Sequence, residues 1–324
     1  VTLFLLQRLI QSVFVMVAMT LLVFFGVSVV GDPIQMFAPQ QCDQRCVDAL
    51  RASFGLDRPL WEQYGLFLLN ALGGELGTSF QFGLPSLQVI LSRAPATLEL
   101  AFAAVFLSFV VGLPFGMWAG LKPEAVSSRF IMTASTVGFS LPTFWIGLIL
   151  IMIFSLWLGL LPTTGRGATV NVLGVEWSFL TLNGLSHLIL PATTLALFNI
   201  ALVIRLARAG MREVMFADYV KFARAKGLSE RRVLFTHVLK NILIPIVTVL
   251  GMELGGTIAF AVVTETIFAW PGMGKLLIDA IEVLDRPLIV AYLMLVAVLF
   301  VLINLIVDVM YSLLDPRVRV GGWR

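Results

Sequence analysis

The sequence predicts an all-α polytopic membrane protein with six transmembrane helices and both termini cytoplasmic. Three observations carry that expectation. Hydrophobic residues make up 59% of the 324-residue chain and charged residues 13%, with a mean hydropathy of +0.97; soluble domains run at roughly 45–50% apolar and about 25% charged. Six stretches, 9–30, 98–120, 130–160, 188–206, 241–263 and 288–314, meet the about 20 apolar residues a helix needs to cross a bilayer. Lys and Arg gather on alternate connections, as the sorting of basic loops to the cytoplasmic side requires.

The basic connection is 207–240, where Arg208, Arg212, Lys221, Arg224, Lys226, Arg231, Arg232 and Lys240 oppose Glu213, Asp218 and Glu230. Connections 31–97 and 264–287 hold more carboxylates than basic side chains. Six spans put Arg8, Lys122, Arg129 and the tail residues Arg317, Arg319 and Arg324 on the same side as 207–240. Five or seven spans break that agreement. Loop sorting also accounts for the net charge of +3, so no nucleic-acid partner is expected.

The first stretch has no small-residue cleavage site after it, and "GDPIQ" follows instead, so it reads as a retained helix rather than a removed leader. The outer segment 31–97 is too long for a connector, and "SFGLDRPLWEQYGLFLL" and "GELGTSF" mix turn formers with aromatic residues; a small ordered lobe is expected. The chain's two cysteines, Cys42 and Cys46, lie there. A disulfide and two free thiols both stay open, because so short a spacing bridges only in particular backbone geometries. With no histidine nearby, a metal site is not expected. The third stretch is over-long, and Pro142 in "GFSLPTFW" should either kink it or divide a short helix from the span.

The segment "DYVKFARAKGLSERRVLFTHVLKNILIP", from Asp218 to Pro245, is the charged exception in an oily chain. Tyr219, Phe222, Ala223 and Lys226 recur at helical spacing and predict one face of a short amphipathic helix. Gly227 should end it in the left-handed conformation, with Ser229 as the N-cap of the next helix and Glu230 in its first turn. The expected product is a helix, a glycine turn and a second helix running into the fifth span. Such a hairpin suits either the headgroup interface or a cytosolic partner that needs Ala223 small.

At this segment the chain resembles a family. "ARAKGLSERRVL" followed by "LKNILIPIVTVLG" looks like the EAA loop of ABC-importer permeases, in the form of the dipeptide and oligopeptide branch. "GDP", "FGLDRPLWEQY", "GELGTS", "PATLEL", "GFSLPTFW", "LPTTGR", "HLILPATTLAL", "TETIFAWPGMGKLLIDAI", "DRPLI" and "NLIVDVMYSLLDPRVR" extend the likeness over nearly the whole chain. Lys221 and Phe222 depart from the general pattern, as does His237 where Ile is usual, in the manner of the peptide branch.

The resemblance implies a type I ABC importer permease fold: first helix 1–30, periplasmic lobe 31–96, a transmembrane core 97–314 with coupling loop 218–232, and a cytoplasmic tail 315–324. It implies that Asp218, Phe222, Ala223, Arg224, Lys226, Gly227, Leu228 and Glu230 couple to an ATPase subunit. The implied partners are a homologous second permease, two ABC ATPases and a periplasmic solute-binding protein, in the inner membrane of a bacterium. By the same resemblance Glu265, Trp270 and Pro271 belong to the outer gate or the binding-protein contact.

The chain has no "GxxxxGK[ST]", "HExxH" or "GxSxG". No cofactor is therefore expected, and ATP and Mg fall to partner subunits. His187 and His237 are too few for a histidine-rich metal centre and read as interfacial. Glu253 sits about 18 Å into the fifth span, where a carboxylate costs about 2.5–3.5 kcal/mol on insertion scales. It reads either as a pathway acid that attracts a peptide ammonium or as a hydrogen-bonding group between helices. An ion-coupled secondary transporter built on Glu253 is the alternative function, but it calls for several intramembrane charges. Gly112, Gly116 and Gly120 in the second span are expected to be a close-packing ridge. Which solute moves is not written in the sequence.

Overall fold

The computed structural model describes residues 2–29, 43–53 and 55–314. The helices are α1 (Thr2–Val29), α2 (Gln44–Ser53), α3 (Leu60–Leu72), α4 (Ser86–Leu121), α5 (Val126–Ser140), α6 (Thr143–Trp157), α7 (Leu182–Val214), α8 (Asp218–Ala225), α9 (Glu230–Ile267), α10 (Met273–Glu282) and α11 (Arg286–Leu314). Strands β1 (Val170–Val172) and β2 (Val175–Trp177) form one antiparallel hairpin, with Val170 opposite Trp177. Two compact units emerge, one of residues 1–97 and 271–302, the other of 98–270 and 303–324.

Among the described residues four helices, Ser86–Leu121, Leu182–Val214, Glu230–Ile267 and Arg286–Ile306, are long and apolar enough to cross a membrane. The pair α5–α6 passes only when taken together, and it is bent by 109°. That is a break, not a kink. Leu141, before the proline, is extended at φ −86° and ψ 138°, and Pro142 caps α6 at φ −60°. The proline ring disfavours helical geometry at the preceding residue, so Pro142 ends one helix and starts another. In α1 the apolar stretch Val13–Gly26 is shorter.

In the first unit, aromatic packing joins α1 to α3. Phe24 of α1 lies 5.4 Å from Tyr64 and 5.6 Å from Phe67 of α3, and the Thr20 and Tyr64 hydroxyls share a 2.8 Å hydrogen bond. "GELGTSF" forms a tight loop in which Ser79 N donates to Leu84 O and Ser86 N to Gly77 O. Gly77, at φ +85°, would put a Cβ 3.2 Å from Pro287. Asp285 is fully buried and accepts from Ser79 Oγ, Gln81 N and Leu288 N. It therefore caps α11 and ties the 77–86 loop to it in a single carboxylate. Met273 N donates to Thr97 Oγ1 at 2.7 Å, satisfying one free donor at the start of α10.

The second unit is organised on α7. A Cβ on Gly112 would lie 2.7 Å from Val203, one on Gly116 would lie 2.6 Å from both Ala207 Cβ and Ile204 O, and one on Gly120 would lie 2.5 Å from Met211. The four-residue glycine spacing of α4 meets the four-residue spacing of Val203, Ala207 and Met211, and the two backbones approach closely. Leu113, Met117, Val203, Ala207 and Met211 join Val233, Val238, Ile242, Ile246 and Leu250 of α9 in one core.

Candidate functional site

The hairpin after α7 is joined to that core. Val220 and Ala223, three residues apart on α8, are 0% and 5% exposed and belong to the α4–α7–α9 cluster. Tyr219 and Phe222 point the other way, at 46% and 61% exposed. The amphipathic division therefore runs differently from the one spacing suggested. Ala223 is small because it packs inward, and it does not share the outer face of Tyr219, Phe222 and Lys226.

Gly227 ends α8 at φ +78°. Leu228 N donates to Ala223 O at 3.3 Å and Gly227 N to Arg224 O at 2.9 Å, the paired bonds of a Schellman C-terminus. Leu228 then packs on the core that holds Ala223, so turn and hydrophobic contact reinforce each other. Ser229 occupies the N-cap position of α9, but its hydroxyl makes no capping bond. Arg224 satisfies Glu230 instead, with Nε at 2.9 Å and Nη2 at 3.2 Å from the two carboxylate oxygens. Asp218 pairs with Lys221 at 3.0 Å, and Lys226 Nζ lies 4.6 Å from the centre of the Phe222 ring. Partial desolvation, with the Glu213 carboxylate second, raises the Tyr219 phenol above its usual 10.0, so it stays neutral at physiological pH. The turn thus presents exposed aromatic rings, a residue type enriched at protein interfaces, beside ion pairs. The first turns of α9 pass through a π-helical segment, Val233–Val238, that contains His237.

A second polar centre lies at the opposite ends of α7 and α9. Glu99 of α4 is 4% exposed. Its Oε1 accepts from Ser178 N and Ser178 Oγ, each at 2.8 Å, and from Phe179 N at 2.7 Å; its Oε2 accepts from Arg166 Nε at 3.0 Å and Nη2 at 2.6 Å. Arg166 also donates to Glu176 O, and its guanidinium carbon stands 5.8 Å from the centre of the Trp270 ring. Reading the sequence missed this centre, and Asp285 with it. Each is a carboxylate at the edge of a span, where a boundary charge is unremarked.

Residues 112–320 match the family described as "binding-protein-dependent transport system inner membrane component", and residues 1–101 match its N-terminal companion. The chain belongs to this family. It is 40% identical over 318 residues to the di/tripeptide transport system permease protein DppB of Pseudomonas aeruginosa, covering 91% of this chain and 95% of the relative. It is 35% identical over 336 residues to the dipeptide transport system permease protein DppB of Escherichia coli K12, covering 98% of both. The glutathione transport system permease protein GsiC of Escherichia coli O6:H1 is 35% identical over 317 residues, again at 98% of both chains. Among solved structures, the MetNI methionine ABC transporter shares the fold at a TM-score of 0.53 and 15% identity, over 70% of this chain and 97% of that one.

Family membership and the apolar helices make this a multi-pass membrane protein and a transport permease; they favour the importer reading over a secondary transporter. Within that frame Glu253 is half-buried on α9, and no hydrogen bond to its carboxylate occurs among the described residues. One turn further on, Thr257 Oγ1 donates to Glu253 O and accepts from Asn199 of α7 at 3.0 Å. Glu265 and Trp270 are fully buried within this chain. His187 Nδ1 is 2.8 Å from Asn183 O, and Asn241 bonds the His237 carbonyl. Among the described residues no cysteine is free and no cluster could hold a metal; Cys42 lies outside them.

Proposed function

We propose that this chain is a permease subunit of an ATP-driven importer for dipeptides, oligopeptides or related small solutes. It works in a bacterial inner membrane with a second, homologous permease, two ABC ATPases and a periplasmic solute-binding protein. The hairpin carries the reading: a helix–Gly227–helix unit rooted in the core by Val220 and Ala223 and crested by exposed aromatic and charged residues, in a chain without a nucleotide-binding motif of its own. The peptide class is supported by what the similar permeases are named for.

In this reading there are six spans, with α5–α6 a broken third one, and both termini are cytoplasmic. The hairpin then faces the ATPases. When they close on ATP, a push on Tyr219, Phe222, Arg224, Lys226 and Glu230 passes through Val220 and Ala223 into α4, α7 and α9. Those helices share one core, so they shift as packed bodies between two discrete arrangements. Glu253 serves as a pathway acid that favours a solute ammonium group, and Cys42 and Cys46 form a disulfide in the oxidising periplasm.

A mild-detergent pull-down of this chain from native membranes, followed by mass spectrometry, tests the assembly. It should retain an ATPase and a second permease, with binding protein and ligand naming the cargo. Recovery of this chain alone, even after crosslinking, would restore the secondary transporter.

A further inference from the structure

We infer that Glu99 and Arg166 are positioning residues of the transport cycle: they clamp the loop 158–181 onto α4, the start of α7 and the end of α9, so that these three helices move as one block. This rests on the importer reading above. The loop has almost no apolar anchor. Across 158–181 Ser178 alone is buried, all three residues of β1 are exposed, and Leu173 at the hairpin tip is 99% exposed. A segment with so few buried contacts would ordinarily sit at the low-stability end of a protein.

Polar bonds hold it instead. The one buried residue, Ser178, gives its amide and its hydroxyl to Glu99. The Arg166 guanidinium, only 12% exposed, closes the other carboxylate oxygen. Gly165 N donates to Phe268 O at 2.8 Å, which joins the loop to the end of α9. Ala168 is held twice at the start of α7, its N–H by Asn183 Oδ1 and its carbonyl by Thr181 Oγ1, each at 2.7 Å. Separating α4 from this loop would strip the buried Glu99 carboxylate of its guanidinium, hydroxyl and amide donors, and an unpaired buried charge is among the costliest states a protein interior allows. The clamp therefore transmits displacement between the helices and resists local opening.

The test is hydrogen exchange by mass spectrometry on the assembled importer in nanodiscs, nucleotide-free and trapped with ATP. It is read on peptides covering 158–181 for the natural chain, Glu99→Gln, Arg166→Gln and Ser178→Ala. The Ser178 and Phe179 amides should be protected in both states of the natural chain. In Glu99→Gln and Arg166→Gln their exchange should rise at least about tenfold while the complex stays assembled. Solute moved per ATP hydrolysed should then fall several-fold with ATP hydrolysis continuing. Unchanged exchange in Glu99→Gln would overturn the clamp. Loss of protection in the ATP-trapped natural chain would show a gate that opens, and normal transport per ATP with a released loop would show a merely structural bond. Should Glu99→Gln fail to assemble, Ser178→Ala deletes a single hydroxyl and gives the same readout. A complex that never hydrolyses ATP would refute the importer reading, while loop protection would still report on the clamp.

Discussion

Gly227→Ala separates conformation from space. No atom lies within 4 Å of a Cβ built on Gly227, yet its φ is +78°. Any penalty therefore comes from the left-handed backbone, which costs a residue with a Cβ about 1–2 kcal/mol, a factor of roughly 5–30 in a folding equilibrium. The loss should be local. If residue 227 leaves this conformation, the Leu228 N to Ala223 O bond goes, and Leu228 is drawn off the core that Ala223 shares. Gly227→Asn should cost clearly less than alanine, because asparagine tolerates this region. Gly227→Pro should cost the most, since its ring fixes φ near about −65° and removes the N–H that Arg224 O accepts. Exchange protection of α8 amides and ATP-driven uptake in proteoliposomes should both rank Gly, Asn, Ala, Pro. An alanine variant equal to the natural chain, or an asparagine variant as poor as alanine, would refute the reasoning.

Gly116→Ala, by contrast, should act through crowding. Its Cβ would meet Ala207 Cβ and Ile204 O at 2.6 Å, for a destabilisation of about 1–3 kcal/mol, read as a lower Tm in detergent and partly restored by adding Ala207→Gly. Glu230→Gln should change stability by only about 0–1 kcal/mol, because the Glu230 end of the ion pair with Arg224 is solvent-exposed; a larger loss of ATPase co-purification would locate a partner contact there, and its absence would remove Glu230 from the docking face. Glu253→Gln should lower uptake of cationic or free-amine peptides relative to amine-blocked ones, and identical uptake across that panel would remove the pathway role. Tyr219 has its phenol pKa raised, so the native state favours the neutral form. Its contribution is constant below about pH 10 and is lost as pH rises beyond it, where the unfolded phenol ionises first. Tyr219→Phe should flatten that alkaline fall in Tm.

Features that depend on composition and spacing along one helix could be read before any fold was known. A long apolar run offsets its own insertion cost wherever it sits, so the four long apolar helices were legible, as were an interruption at Pro142, the glycine ridge of α4 and the left-handed stop at Gly227. Features that depend on which neighbour a face meets appear only once the helices are packed. Helical spacing grouped Ala223 with Tyr219 and Phe222, but Val220 points along the same side as Ala223, and the core formed by α4, α7 and α9 claims those two. Ser229 reads as a cap, yet the Arg224–Glu230 pair stabilises the turn without its hydroxyl. The buried carboxylates were hidden for the same reason. Glu99 reaches Arg166 and Ser178 across 67 and 79 residues, and Asp285 reaches Ser79 across 206. No local pattern records such pairings, because a charge becomes affordable in the interior only when the fold brings its partners to it.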